Sequence, residues 1–282
     1  MTTALKLRFN RKQLCIPYAA FLILFVICPL LVIIYFAFTD GTGQFTFDNL
    51  VNFFSNTNTL GTLLNSIAIA VVTTVVCLLI AYPVAYILAR SKFKRKYVLL
   101  MLFVLPMWIN FTLRITALKE ILTAIESNIA MYPFLNTVIG MTYDFLPFMI
   151  LPLYTSLSKL DKSLTEAAED LGANGFTVFM RVILPLSVPG IISGVTMVLL
   201  PSMTNYVVLD MLYNSTYIMG SLIGSYFAAY DWNNGSMISL ILLIIIFIIT
   251  LATNRFSDDN EGARRTICLL YTSPSPRDST SS

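Results

Sequence analysis

Six apolar stretches, at roughly 16–38, 66–89, 97–118, 134–157, 189–209 and 236–254, occupy most of this chain. Each matches the roughly 20 residues that a helix needs to cross about 30 Å of hydrocarbon. In lipid no water satisfies a free backbone N–H or C=O, so a segment crossing the bilayer must pair its own backbone, and here that means helix. Composition agrees, with 57% hydrophobic and 12% charged residues among 282, against about 25% charged in a typical soluble domain. We expect an all-α, polytopic transmembrane bundle of six spans over 16–256, preceded by a short N-terminal segment, 1–15.

Lysine and arginine placement orients the spans. Lys6, Arg8, Arg11 and Lys12 precede the first span; Arg90, Lys92, Lys94, Arg95 and Lys96 lie between the second and third. Lys159, Lys162 and Arg181 separate the fourth from the fifth, and Arg255, Arg264 and Arg265 follow the sixth. The opposite loops, 39–65, 119–133 and 210–235, hold only Lys119. Both termini and the 158–188 loop are therefore expected in the cytoplasm. The first apolar run follows basic residues but exceeds the 7–15 residues of a signal peptide's apolar region, and no small-residue cleavage site follows, so it is expected to remain as a span.

The same composition excludes much chemistry. Histidine is absent, which removes imidazole bases, haem ligation by histidine and the common zinc sites. The four cysteines, Cys15, Cys28, Cys77 and Cys268, form no Cys-x-x-Cys pair. No phosphate-binding Gly-x-x-x-x-Gly-Lys-Ser/Thr loop occurs, so ATP hydrolysis in the usual way is not expected of this chain. No cofactor, metal or nucleic-acid partner is expected. The external loops are each shorter than the about 50 residues at which independent domains begin, so ligand capture and energy must come from other chains.

Pro29, Pro83, Pro106, Pro147, Pro152 and Pro201 fall within or at the ends of spans and favour kinks. Between spans four and five lies a polar island. Ser163-Leu164-Thr165-Glu166 reads as a capping box, and a short helix over Ala167, Ala168, Glu169, Asp170 and Leu171 ends at Gly172, where a left-handed cap belongs. A second short helix from Asn174 would place Phe176, Phe179 and Met180 on one face, with Leu184-Pro185 and Pro189 ending it before span five. Small alanines and aromatic anchors beside acids suit a protein partner. A helix lying on the inner leaflet would instead carry lysine and arginine on its polar face.

The string Glu166-Ala167-Ala168, Gly172, Val182, Leu184-Pro185 resembles the EAA loop of bacterial ABC importer permeases, with Val182 where isoleucine is usual. The resemblance runs over roughly 15–255. Leu105-Pro106-Met107-Trp108 with Asn110 and Leu113-Arg114-Ile115 is similar to the third span of the spermidine/putrescine permeases. So are Leu146-Pro147-Phe148-Met149, Leu199-Leu200-Pro201-Ser202-Met203 and Asp231-Trp232; Asn233 stands where that type usually has proline, and the loop near 124–135 is short. The resemblance implies a type I importer permease fold in a bacterial inner membrane. It implies coupling helices between spans four and five that carry Glu166, Ala167, Ala168, Gly172, Phe176, Phe179, Leu184 and Pro185 to the ATPase. Its implied partners are two ABC ATPase subunits, a second permease, an extracytoplasmic substrate-binding protein and membrane lipid. Polyamines are the implied cargo, and relatives within the wider family carry sulfate, iron or phosphonates.

Ionisable side chains at membrane depth are costly and so are functional candidates. Arg114 and Asp144 fall at similar depths by helix rise and are placed to form an ion pair, either structural or functional. A polyamine needs carboxylates for its ammonium groups and aromatic faces beside them. Asp144, Tyr206, Asp210, Tyr213, Asp231 and Trp232 supply these on the outer side, where tyrosine and tryptophan also form ordinary interfacial belts. A self-sufficient ion-coupled transporter is a second reading, but no convincing inverted repeat supports it. An intramembrane protease lacks its histidine or paired aspartates. Finally, 257–282 is expected to be a disordered tail. From about 267, with Ile267-Cys268-Leu269-Leu270-Tyr271 running into Ser273-Pro274, it resembles translated adaptor sequence and reads as non-native.

Overall fold

The computed structural model describes residues 15–91, 95–126, 131–212 and 218–272, with backbone alone at 15, 16, 254 and 256–272. The segment 1–14, the tail 273–282 and Tyr213 lie outside the described residues. The described chain is helical without strands; one isolated antiparallel bridge joins Thr39 to Phe45. Among the described residues, five helices are long and apolar enough to cross a membrane, or six when one bent pair counts as a single span. The chain divides into two compact units, residues 1–61 with 222–244 and residues 62–221 with 245–282.

In the smaller unit, α1 (Cys15–Leu22) passes through a π turn, Ile23–Ile27, into α2 (Cys28–Ala37). The last carbonyls of any helix lack intrahelical partners, and here two side-chain amides supply them. Asn49, on α3 (Asp48–Ser55), donates from Nδ2 to the carbonyls of Ala37 (3.0 Å) and Thr39 (2.9 Å). Asn233, near the start of α13 (Trp232–Thr272), the helix after α12 (Met219–Ala228), donates to Phe36 O (3.1 Å) and Thr39 O (2.6 Å). A proline at 233 would have no amide to offer, which gives this departure from the related pattern a structural use. The α13 backbone stays helical to Thr272, where a tail from 257 was expected. Arg264, Arg265, Leu269 and Leu270 are good helix formers and the first proline is Pro274.

The larger unit holds the main core. α4 (Thr57–Arg90) starts earlier than the apolar run because Asn56 caps it, its Oδ1 accepting from the N–H groups of Asn58 (3.0 Å) and Thr59 (3.4 Å). The third span is not one straight helix. α5 (Lys96–Val104) gives way to a 3₁₀ turn, Leu105–Trp108, and α6 (Phe111–Glu126) leaves at 98°. Pro106 opens the turn and Ile109 is extended. Asn110 then caps α6, accepting from the N–H groups of Thr112 (2.9 Å) and Leu113 (3.5 Å). A proline followed by a strong N-cap restarts the helix in a new direction.

α7 (Pro133–Ser158) is the most buried span, and α10 (Leu184–Thr204) packs along it. A Cβ on Gly190 would lie 2.5 Å from Ser156 Cβ and 3.0 Å from Pro152 O, and one on Gly194 would lie 2.5 Å from Met149 Sδ. Gly190-x-x-x-Gly194 thus permits the close backbone approach that small-residue pairs give membrane helices. Met149, Ile150, Leu153 and Val198 close this seam, all fully buried.

Span five also differs from expectation. Leu184-Pro185 does not end the preceding helix. α9 (Gly175–Val178) runs through a π turn, Phe179–Ile183, into α10, and Gly175–Thr204 forms one apolar run. The N–H of Leu184 reaches back to Phe179 O, so the widened turn carries the chain through a proline that would crowd a regular α-turn. The span then stops at Thr204, five residues before the expected 209, and α11 (Val207–Leu212) follows as a separate short helix.

Candidate functional site

The polar island folds as α8 (Ser163–Asp170), a glycine turn and α9. The expected Ser163–Glu166 capping box does not form. Lys162 is already helical, which puts Ser163 inside the first turn, and Asp161 Oδ1 accepts the Ser163 N–H at 3.1 Å. The far end behaves as its sequence suggests. Gly172 has φ +82°, its N–H bonds to Glu169 O (2.8 Å), and the Ala173 N–H bonds to Ala168 O (3.1 Å). These two bonds define a Schellman motif, and only glycine adopts its left-handed position without steric cost. Asn174 then caps α9, accepting from the Thr177 N–H (2.8 Å) and hydroxyl (2.7 Å).

The island has an inner and an outer side. Ala168, Ala173, Phe179, Val182 and Leu184 pack against the main core. Phe179 lies edge-on to Tyr82 and Tyr86, with centroids 5.7 Å away in each case. It is therefore not part of an exposed patch with Phe176 and Met180, because α4 brings two tyrosines to it. Glu166, Ala167, Glu169, Asp170 and Pro185 are exposed, as are Phe176 at 70% and Leu171 at 90%. Leu171 is not among the sequence candidates, since at the end of a helix its periodicity assigns it to neither face.

Beneath Phe179, Tyr82 and Ser187 share a buried hydrogen bond of 2.9 Å. The Ser187 hydroxyl also donates to Leu184 O (2.9 Å), leaving the tyrosine as donor to serine. The island is thus tied to α4, is continuous with α10, and through α10 bears on α7. A cavity of about 570 Å³ lies between α7 and α10, lined by Phe148, Pro152, Pro189 and Met197 with Lys159 at its rim.

The candidates at the other end fall into separate places. Arg114 and Asp144 form a buried ion pair, at 7% and 5% exposure. Arg114 Nη1 also donates to Pro106 O (3.0 Å), and Asn205 Nδ2 approaches Asp144 Oδ2 at 3.5 Å. Asp144 is therefore engaged by protein groups rather than open to solvent. Tyr206 and Asp210 lie one turn apart at the start of α11 and both are exposed; Asp210 sits on this short helix, not on span five. In the smaller unit Asp231 caps α13, accepting at Oδ1 from the Asn234 N–H (3.2 Å) and at Oδ2 from the Asn234 amide (2.8 Å). Trp232 is half exposed and packs against Phe227 and Tyr230, with centroids 5.5 and 6.4 Å away. A second cavity there, about 360 Å³, is lined by Asn49, Asn52, Asn56, Asn234 and Tyr226.

Residues 81–258 match the family described as binding-protein-dependent transport system inner membrane component. The chain is 38% identical over 264 residues to the spermidine/putrescine transport system permease protein PotB of Haemophilus influenzae, covering 86% of this chain and 92% of that one. Against the PotB of Escherichia coli K12 identity is 34% over 264 residues, covering 86% and 96%. Among solved structures, a bacterial ABC transporter involved in import of the acidic polysaccharide alginate superposes with a TM-score of 0.72 at 14% identity, covering 88% and 94%. The alginate transporter in complex with its pentasaccharide-bound periplasmic protein gives 0.71, also at 14% identity, covering 87% and 93%. At that identity the likeness establishes the fold, that of an ABC importer permease.

Proposed function

Because the chain belongs to the binding-protein-dependent transport system inner membrane components, a family of multi-pass, non-catalytic permease subunits, we propose that it forms half of a polyamine path driven by a separate ATPase. The observation that carries this reading is the continuity of α8, Gly172, α9 and α10. An ATPase pair seated on the exposed face of Ala167, Leu171 and Phe176, beside Glu166 and Glu169, would press on a helix that runs unbroken into span five. The charge bias puts this face in the cytoplasm. Two ATPase copies, a second permease and an extracytoplasmic binding protein complete the assembly. Coupling then follows from differential affinity, the closed ATPase pair favouring one permease conformation over the other.

Spermidine and putrescine are the favoured cargo because relatives sharing more than a third of this sequence across nearly their whole length carry those names. Asp210 and the neighbouring Tyr206 offer a carboxylate and an aromatic face on the side of delivery. An exposed carboxylate attracts a cation 4 Å away by only about 1 kcal/mol in water. Such weakness suits a path, which must release what it admits. The test is uptake of labelled putrescine and spermidine by proteoliposomes holding the complete transporter. Asp210→Asn should lower uptake about fivefold at unchanged membrane abundance. Unchanged uptake removes Asp210 from the path, and transport of sulfate or phosphonate in place of polyamine overturns the cargo.

A further inference from the structure

The buried ion pair sits where two breaks in the helices meet the middle of α7. Pro106 O, which accepts from Arg114, belongs to the 3₁₀ turn at the 98° bend of span three. Asp144 lies in α7, and Asn205, which reaches its second oxygen, is the residue on which α10 ends. Around the pair, Arg114 lies over the rings of Phe111 and Tyr143, at 5.8 and 5.7 Å. Nearer the start of α7, Gly140 lets α11 approach so closely that a Cβ there would meet Val208 Cγ1 at 2.9 Å and Leu212 Cδ1 at 2.8 Å. Ile115, Val208, Leu209 and Leu212 fill that contact, all buried.

A buried arginine and carboxylate are tolerable only together. Separating them leaves an uncompensated charge in a medium that cannot solvate it. Any movement that drew α6 away from α7, or the end of α10 away from Asp144, would have to bear that penalty in every cycle. We infer that Arg114 and Asp144 are positioning residues whose pair binds the bend of span three, α7 and the end of α10, with the α11 that packs on Gly140, into one body. This body moves as a unit during transport, and Asp144 does not meet the cargo. The inference rests on the transport reading above, and it gives both terminal nitrogens of the guanidinium a task. The two arms of the guanidinium serve the carboxylate and the stray carbonyl at the bend, which a lysine's point charge would not do in the same way.

The test uses the complete transporter in proteoliposomes, reading uptake together with ATP hydrolysis stimulated by the binding protein. Asp144→Asn strands Arg114 and should lower both rates by at least about tenfold. The double variant R114M/D144L removes both charges at similar volume and should restore both to within about threefold, with the putrescine-to-spermidine rate ratio unchanged. A carboxylate that meets the cargo admits no such rescue. If R114M/D144L is as inactive as Asp144→Asn at equal abundance, or changes that ratio, the inference is overturned. A second measurement does not depend on substituting the pair. In a background where the native cysteines are replaced, oxidising G140C/V208C to lock α7 to α11 should leave transport within about twofold of the reduced protein. An oxidation-dependent loss that reduction restores would show that these elements separate, and would overturn the inference. If neither polyamine is carried by the wild type, stimulated ATP hydrolysis still ranks the variants, so failure of the cargo assignment and failure of the positioning role give different results.

Discussion

Gly172 offers the sharpest test of the coupling element, because its constraint is conformational and not steric. A Cβ built there would meet nothing within 4 Å, yet φ is +82°. Any other L residue bears the left-handed penalty of about 1–2 kcal/mol, and larger side chains add nothing to it within this chain. Gly172→Ala and Gly172→Leu should therefore weaken the native turn equally, lowering its population relative to the frayed form about 5- to 30-fold. Leaving the left-handed well also breaks the Gly172–Glu169 and Ala173–Ala168 bonds, which set the angle between α8 and α9. Gly172→Asn tolerates the conformation better and should recover most of the loss. The assay is the ratio of substrate imported to ATP hydrolysed by the assembled transporter. The ratio should fall alike for alanine and leucine, recover for asparagine, and leave membrane insertion intact. Normal coupling in Gly172→Ala with loss only in Gly172→Leu would refute the backbone argument and point to steric contact with the partner.

Three further outcomes follow from local geometry. Gly190→Leu must part α7 from α10, since its Cβ would press on Ser156 Cβ and Pro152 O; a loss of at least about 1–3 kcal/mol should appear as a lower thermal midpoint in detergent, with Gly190→Ala intermediate. Tyr230 holds φ +62° in an exposed turn, so Tyr230→Gly should raise the stability of the turn by about 1 kcal/mol, and an unchanged or lower midpoint would contradict this. Asn174→Ala removes the acceptor of both Thr177 groups and should cost the start of α9 about 1 kcal/mol, read as faster amide exchange at Thr177.

The membrane spans and the glycine turn were legible because each depends on a local rule. Apolar length marks a span, and a glycine after an acidic helix marks a left-handed cap. What escaped depended on neighbours. Pro106 alone implies a kink, but the 98° turn also requires Asn110 to restart the helix, and neither residue by itself announces a joint break. Pro185 by its residue type reads as a stop, whereas a π turn of only five residues carries the helix past it. Phe179 has the spacing of an exposed anchor, but Tyr82 and Tyr86 come from more than ninety residues earlier in the chain and claim it. Gly190 and Gly194 form a small-residue motif, but the helix they pack against, α7, is not written in it. Similar depth placed Arg114 beside Asp144, while their ties to Pro106 and Asn205 depended on where helices end, the least readable feature of a sequence.

The most direct measurement is ATP-dependent uptake of labelled spermidine by proteoliposomes, comparing this chain alone with the chain joined to its second permease, ATPase and binding protein. The expected result is uptake only by the full assembly, only with ATP on the Gly172 side, and abolished by lesions in α8. Uptake by this chain alone, driven by an ion gradient and indifferent to ATP, would contradict it.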